Sequence, residues 1–165
     1  MKNIFLLLFT FLSISVFGQQ KFGHLNTGNL LELMPESKSA NEQLQVFQSQ
    51  LSARGETMAK MLEDKIVRYN NEAPKMTPND RQERETVLRK EQEELSAFSQ
   101  EAKLKMEDKR RTLLQPIIIK IKDAVNAVAK ENKYNFIFDV SAGNLLYVND
   151  SEDIISFVKT KLNIK

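Results

Sequence analysis

Residues from near Ser37 to near Glu131 form one stretch of charged, amphipathic sequence in which Gly55 is the only glycine. The sequence on either side of this stretch offers only short strand-forming segments. Long helices attached to so small a sheet expose much surface and enclose little volume. The pattern therefore favours a protein that holds a partner over one that carries a catalytic centre.

The first eighteen residues have the three-part layout of a secretory signal. Lys2 supplies a positive charge, residues 4–17 are an apolar run, and Gly18 is a small residue at the expected cleavage site. The run is shorter than the roughly 20 residues that a membrane-spanning helix needs, so cleavage is favoured over a retained anchor. The sequence contains no cysteine, so neither a lipid-modified cysteine nor a disulfide is available. We predict that residues 1–18 are removed and that the remainder is exported as a soluble protein.

The remaining residues, 19–165, are ordinarily enough for one domain. The full sequence carries a net charge of +2, and loss of Lys2 with the leader leaves +1. A nucleic-acid-binding protein usually has a strongly basic face. The near-neutral balance therefore argues against nucleic acid as a partner.

Signatures of catalysis or cofactor binding do not occur in the sequence. His24 is the one histidine, and no cysteine accompanies it, so the usual ligands of a zinc site cannot be assembled. The five glycines are too scattered to form a phosphate-binding loop. Carboxylates such as Glu91 and Glu94 lie on polar helix faces, where they are solvated. We predict no enzymatic activity, no metal and no cofactor, with His24 as a packing or surface residue.

Two helical arms of matched length are predicted within residues 37–115. Apolar residues recur at mostly three-and-four spacing, which is typical of a coiled-coil seam. In the first arm they are Leu44, Phe47, Leu51, Met58, Met61 or Leu62, and Tyr69. In the second arm they are Val87, Leu88, Leu95, Phe98, Ala102, Met106 and Leu113. Matched seams predict an antiparallel hairpin, and Pro116 is expected to bend the chain after the second arm.

The ends of the arms carry recognisable signals. Ser39 and Glu42 fit a capping box at the start of the first arm. Thr77 fits an N-cap for the second arm, with Pro78 at the first helical position. The tip between the arms, residues 70–78, is so short that the two helices have to double back on each other.

The remaining segments, 19–36 and 116–165, are predicted to form a small body. Strands are expected at 21–27, 134–140 and 145–148. A final helix, capped by Asp150, is expected after them. So few elements bury little apolar surface, and open strand edges favour pairing, so we expect the body to oligomerise. The candidate packing residues of the body and its assembly are Phe22, Leu25, Phe136, Ile137, Phe138, Leu145 and Tyr147.

Two sets of arm residues have both a structural and a functional interpretation. The apolar set is Phe47, Met58, Met61, Tyr69, Met76 and Phe98. It is either the hairpin core or an adaptable contact surface for clients, since flexible methionines suit varied partners. The basic set is Lys103, Lys105, Lys109, Arg110 and Arg111. It is either a solvated helix face or a patch for anionic lipid or an acidic client segment.

Several blocks of the sequence are recognisable together. Near the N-terminus they are residues 22–26 and 30–36, and toward the C-terminus they are residues 114–117, 127–132, 134–139, 142–147 and 150–154. These blocks resemble the Skp (OmpH) family of periplasmic chaperones, and the N-terminal ones are similar to the first strand and following turn of that family. The likeness covers essentially all of the chain after the leader. The C-terminal blocks are its specific part, because the arms alone would fit many coiled coils.

The resemblance implies an α+β, mostly α fold. In such proteins the small β body assembles into a trimeric, barrel-like core, and each subunit projects one long helical hairpin around a cavity. The resemblance also implies a function, the ATP-independent holding of unfolded outer-membrane protein precursors in the periplasm. Anionic lipid and the outer-membrane assembly machinery are further candidate partners. Well-known members of the family are strongly basic whereas this chain is nearly neutral, so a lipopolysaccharide site is not carried over.

The alternative function is that of a structural or scaffold coiled-coil protein of the cell envelope. A scaffold binds one folded partner at a fixed ratio and ignores unrelated unfolded chains. A holding chaperone binds unrelated unfolded chains and does not need one folded partner. Suppression of aggregation therefore separates the two hypotheses.

Overall fold

The computed structural model describes residues 20–164, so the predicted leader, residues 1–18, lies outside the described residues. The elements are strand β1 (Phe22–Leu25), helix α1 (Thr27–Leu33), helix α2 (Pro35–Glu72), a 3₁₀ turn (Ala73–Lys75), helix α3 (Pro78–Glu131), strand β2 (Phe136–Asp139), a second 3₁₀ turn (Asp150–Glu152) and helix α4 (Ile155–Leu162). They fall into two compact units, a body unit (20–30 with 121–164) and a hairpin unit (31–120). The α+β, mostly α fold predicted from the sequence is confirmed.

The sheet of the body unit has two parallel strands. Phe22 of β1 lies opposite Phe136 of β2, and His24 lies opposite Phe138. The other side of β1 is also occupied, because the backbone N–H of Ile154 donates to the carbonyl of His24 at 2.9 Å. Within residues 20–164, β2 therefore keeps one edge without a neighbouring strand.

Gly23 explains how the chain segments pack so closely around β1. A Cβ atom at this position would lie 3.0 Å from both the Cγ2 of Ile154 and the Cε1 of Tyr134. Atoms cannot approach that closely without displacement of a neighbour. A larger residue would therefore displace the Ile154 or Tyr134 side chain by a few tenths of an ångström, whereas glycine lets both pack closely against the strand.

The prediction of a third strand at residues 145–148 is wrong for the single chain. These residues are irregular, and they follow a turn in which Gly143 has a φ of 68°. A strand needs a neighbour to accept its hydrogen bonds. Both sides of β1 are taken, and within residues 20–164 the segment does not pair with the free edge of β2. Its side chains consequently face solvent, with Tyr147 83% exposed.

The final helix begins later than predicted, because Asp150 does not cap it. Asp150 lies in the second 3₁₀ turn, and α4 starts at Ile155, whose N–H donates to Oδ1 of Asp153 at 2.8 Å. Ile154 is completely buried, and its backbone is bonded to His24. That long-range contact holds residues 150–154 along β1 and delays the helix.

The capping box predicted at Ser39 and Glu42 is also wrong. Helix α2 starts at Pro35, and Ser39 lies inside it, where its hydroxyl accepts from the Gln43 side chain at 3.4 Å. Proline is well suited to the first helical position because its missing N–H has no partner to lose there. The helix therefore begins one turn before the sequence signal.

The hairpin unit contains two antiparallel helices in constant register. Contacts across the seam join residue 36 to 120, 47 to 109, 55 to 98, 65 to 91 and 69 to 85. As the residue number rises along α2, the number of the contacting residue on α3 falls, as in the predicted antiparallel hairpin. The sequence left Met61 and Leu62 as alternatives for one position of the seam. Leu62 occupies it, because its side chain is only 8% exposed whereas that of Met61 is 55% exposed. Helix α3 continues through Pro116.

Each unit has its own buried apolar side chains. In the body unit they are Leu25, Leu30, Ile121, Ala124, Val128, Ile154, Val158 and Leu162. In the hairpin unit they are Met34, Ala40, Leu44, Leu62, Phe98 and Ile117. Since the hairpin unit spreads six buried residues over a much longer structure, most of its surface stays in water.

The predicted cap at Thr77 is confirmed. The N–H of Asp80 donates to the Thr77 hydroxyl at 3.2 Å, and that hydroxyl donates to the Asp80 carboxylate at 2.7 Å. We expect Thr77→Ala to destabilise the first turn of α3 by about 1 kcal/mol, since an N-cap is lost. Hydrogen exchange of the amides that follow Pro78 measures the effect. Thr86→Ala is the control, because this hydroxyl only bonds back to Gln82 within the helix at 2.8 Å. Equal protection in the two variants would contradict the capping role.

Candidate functional site

The exposed surface of the hairpin unit is the first candidate site, and Phe98 marks its middle. The sequence places Phe98 in the apolar set, but its side chain is only 6% exposed. The ring lies against Gly55, where a Cβ atom would be 3.4 Å from Cε1. The Arg54 guanidinium lies over the same ring, 5.0 Å from its centroid. Phe98 thus belongs to the seam and is covered by a cation.

Other members of the apolar set are more accessible. Phe47 is half-buried beneath the Lys109 ammonium, which lies 6.0 Å from the ring centroid. Met58 is half-buried, and Met61 is the most exposed member of the set. Leu104, which the sequence did not select, is 66% exposed on the same unit. The accessible apolar surface is therefore distributed over both helices, which also expose many charged side chains.

Near the tip, a polar contact joins the two arms. The Tyr69 hydroxyl donates to the Glu85 carboxylate, and this bond, with a smaller contribution from burial, raises the pKa of Tyr69 above its ordinary value. Arg81 closes the turn by donating to the carbonyl of Ala73 at 2.9 Å. Met76 is half-buried beside this turn. The tip is held by hydrogen bonds as well as by apolar contact.

The basic set is divided by its ion pairs. Lys105 pairs with Glu101 at 2.6 Å, and this hydrogen bond lowers the pKa of Glu101 from its ordinary value. Arg111 pairs with Asp108 one turn away. These exposed pairs contribute little to stability. Lys103 and Arg110 form no ion pair with any of the residues 20–164, so their charges remain available.

A groove of about 520 Å³ runs between α2 and α3 beside Phe98. We call it the Phe98 groove. Its apolar lining includes Leu51, Gly55, Phe98 and Met106, and Lys103 and Arg110 line it as well. The groove unites members of the apolar and basic sets that the sequence analysis treated separately.

The body unit carries a second candidate surface. The rings of Phe22 and Phe136 stack at a centroid distance of 5.9 Å, and Phe22 and Phe138 at 6.3 Å. All three remain between 38% and 55% exposed. With Leu145 and Tyr147 they supply a large apolar patch on a small unit. Leu25 differs from the rest of the predicted packing set because it is buried at 2% exposure, and Ile137 is half-buried.

A cleft of about 410 Å³ lies within this patch, lined by Phe22, Phe138, Leu145 and Tyr147 among others. His24 reaches it from β1 but is itself only 6% exposed. A carbonyl only accepts hydrogen bonds, so Nε2–H of His24 donates to the Asn149 carbonyl at 2.9 Å. The histidine therefore ties β1 to the segment before the second 3₁₀ turn. This packing role agrees with the sequence prediction.

Asp139 ends β2 and fastens it to the start of α1. Its carboxylate accepts from the Thr27 hydroxyl at 2.5 Å and from the Ser141 N–H at 3.0 Å. Burial acts to raise the pKa of this carboxyl, but the hydrogen bonds from Thr27 and Ser141 outweigh it. The pKa is lowered from its ordinary value of 3.8. The sequence alone did not single out this contact, although an aspartate after a strand and a threonine before a helix are suitable partners.

The stability of the body unit should consequently fall in acid. The pKa of Asp139 is lower in the folded state than in the unfolded state. The stability that this carboxylate contributes is therefore complete above the unfolded pKa near 3.8 and is lost as the pH falls through the lower folded value. We expect urea midpoints to decline below pH 4 and Asp139→Asn to reduce that decline while lowering the midpoint at pH 7. Asp123→Asn, at an exposed position of α3, is the control. An acid decline of equal size in both variants would contradict the assignment.

Within residues 20–164, no group of three or more histidine, aspartate and glutamate side chains is arranged to hold a metal ion. The helices in this part of the chain also include none with the length and hydropathy of a membrane span. The surfaces described above are thus the candidate sites that the structure offers.

The fold and surfaces define this chain as a helical-hairpin protein with a small α/β body. Residues 21–162 match the family described as outer membrane protein (OmpH-like), and the chain belongs to that family. The resemblance drawn from the sequence blocks is confirmed.

Individual relatives agree with the family match. The chain is 25% identical over 150 residues to the Chaperone protein Skp of Pectobacterium atrosepticum, covering 88% of this chain and 87% of that protein. It is 26% identical over 141 residues to the Chaperone protein Skp of Yersinia enterocolitica, with coverage of 84% and 83%. A crystal structure of a candidate OmpH-like outer-membrane chaperone from Caulobacter crescentus aligns with a TM-score of 0.71 at 13% identity, covering 88% and 85% of the two chains. At that identity the structural likeness establishes the fold.

Proposed function

We propose that this protein is an ATP-independent holding chaperone that binds unfolded outer-membrane protein precursors in the periplasm and prevents their aggregation. The observation that carries the proposal is the hairpin unit, whose accessible apolar side chains are distributed along two long helices that also expose many charged ones. Scattered apolar contacts hold an unfolded chain without imposing a fold on it. The names of the two Skp relatives support the same function.

Mixed charge on the arms suits such holding. Residues 37–115 contain fifteen lysines and arginines against fourteen aspartates and glutamates. A surface of this kind exerts no strong overall field, so binding depends on apolar contact together with local charge. Many weak contacts of this type exchange quickly, which permits release without nucleotide.

We also propose that three copies assemble through the body units. The exposed patch around Phe136 and Phe138 adjoins the strand whose edge is free, and residues 145–148 lack a partner within the described chain. Pairing of this segment with β2 of another copy would satisfy both the free edge and the unpaired segment. The number three rests on the family, whereas the patch supports self-association.

The test uses the chain from residue 19 without nucleotide. A urea-unfolded outer-membrane β-barrel protein is diluted into buffer with and without it, while light scattering is followed and the complex is sized by mass. We expect suppressed aggregation at about three chains per client, since the enclosed client is kept from pairing with other unfolded chains. An unrelated cytosolic unfolded protein and a folded β-barrel serve as controls. Unchecked aggregation in the presence of a folded trimer would favour the scaffold function.

A further inference from the structure

The Phe98 groove carries an inference that deepens the holding function. A coiled-coil seam normally fills the space between its helices with side chains. Here Gly55 contributes none, and the groove is also lined by the small residues Ser99 and Ala102. Phe98 itself is buried, so its ring forms part of the wall and does not close the space. The result is an opening between α2 and α3 beside Phe98.

The charge along this opening differs from that of the surrounding surface. Lys103 and Arg110 both line the groove, seven residues apart and therefore on one face of α3. Neither has an ion-pair partner among residues 20–164, whereas the neighbouring Lys105 and Arg111 do. Glu107 also lines the groove, so its rim has one more positive than negative charge. A carboxylate on a bound segment would complement this excess.

The length of the groove limits what fits along it. The stretch from Phe98 to Arg110 rises about 18 Å along α3 at 1.5 Å per residue. A chain in extended conformation covers that distance with about five or six residues. Successive side chains of such a chain point in opposite directions, so only alternate ones enter the groove.

We propose that the Phe98 groove is a subsite for one extended segment of an unfolded client, about five or six residues long. The segment has apolar side chains at alternate positions and a carboxylate that pairs with Lys103 or Arg110. Alternating apolar side chains are what a strand of a β-barrel precursor presents. The subsite rests on the holding function and specifies which segments of a client are held.

The experiment uses the chain from residue 19 with the photocrosslinking residue p-benzoylphenylalanine at Gln48, which lines the groove, or at the adjacent Ser49, which is exposed and does not line it. Each protein is mixed with a urea-unfolded outer-membrane β-barrel protein and irradiated, and the crosslinked client peptides are mapped by mass spectrometry. Aggregation is followed in the same samples. The charge variant K103Q/R110Q is compared with K105Q/R111Q, which removes the same charge from the same helix outside the groove.

We expect position 48 to capture client peptides that alternate apolar residues and contain aspartate or glutamate, at several times the yield of position 49. K103Q/R110Q should lower that yield by about threefold or more, since the cation that pairs with the client carboxylate is lost whichever of the two residues supplies it. K105Q/R111Q should leave it nearly unchanged. The subsite would be overturned by equal yields at the two positions, by equal effects of the two charge variants, or by crosslinks from position 48 to a second copy of this chain. In each of these cases, suppressed aggregation would still uphold the holding function. Aggregation unchecked by the parent protein would overturn the holding function and the subsite with it.

Discussion

Phe138→Glu should convert the trimer proposed above into monomers and reduce the capacity to hold clients by about tenfold or more. Phe138 is 44% exposed on β2 and stacks with Phe22 at the centre of the apolar patch. Covering the exposed half of such a ring, on the order of 100 Å², stabilises an interface by roughly 2.5 kcal/mol. A carboxylate there forfeits that gain and has to be desolvated without a partner, which costs more. Enclosure of a client requires several hairpins, so monomers should hold clients poorly.

Mass by sedimentation or light scattering, together with the aggregation assay, checks this result. Leu104→Glu is the matched control, because Leu104 is a 66% exposed apolar residue that belongs to the hairpin unit and is not a member of the body patch. It should leave the mass unchanged. An unaltered mass for folded Phe138→Glu would refute assembly through this patch.

Ile154→Ala should destabilise the body unit by about 2–5 kcal/mol, the range for truncating a fully buried large aliphatic side chain. The Ile154 side chain is completely buried and packs against Gly23. Its backbone N–H also bonds to the His24 carbonyl, which anchors this part of the chain to β1. No cysteine is available to brace the unit. A loss of this size is a large fraction of the stability that a small domain possesses.

Urea unfolding at fixed protein concentration measures the loss, since the proposed assembly would make the apparent stability depend on concentration. Ile155→Ala is the control, because Ile155 is the next residue and is only partly buried. It should cost clearly less, on the order of 1 kcal/mol. Similar midpoints for the two variants would show that Ile154 is not the anchor described above.

The helical hairpin could be predicted because its signals are local. The Thr77 cap, Pro78 and the spaced apolar residues each act within a few positions of the helix that they specify. The start of α2 was misjudged because two local signals competed, and Pro35 determined the start of the helix ahead of Ser39. Local chemistry therefore determined both the helix and its first residue, but the sequence alone did not show which of the two local signals would prevail.

The end of the body could not be predicted in the same way, because long-range contacts decide it. Asp150 has the chemistry of a cap, yet the bond from Ile154 to His24 keeps that region extended until Ile155. Residues 145–148 have the composition of a strand but find no partner within the chain. Sequence patterns indicate what a segment can form, and its neighbours determine whether it forms.

The candidate surfaces were predicted in part. The aromatic residues of the body were predicted to pack within the body and its assembly, and in the single chain they are exposed, so their role in assembly stays a prediction. The Phe98 groove was missed, because the register that places Gly55 against Phe98 is not visible in either arm alone. A single glycine in so long a helical stretch was the one available signal.

The constant register of the hairpin has a consequence for how such proteins can change size. Because residue numbers fall on α3 as they rise on α2, deleting seven residues from each arm at facing positions would restore the same pairing on both sides of the cut. The body unit would be untouched by that deletion. The length of the hairpin can thus be changed by whole heptads while the pairing of the remaining residues is kept.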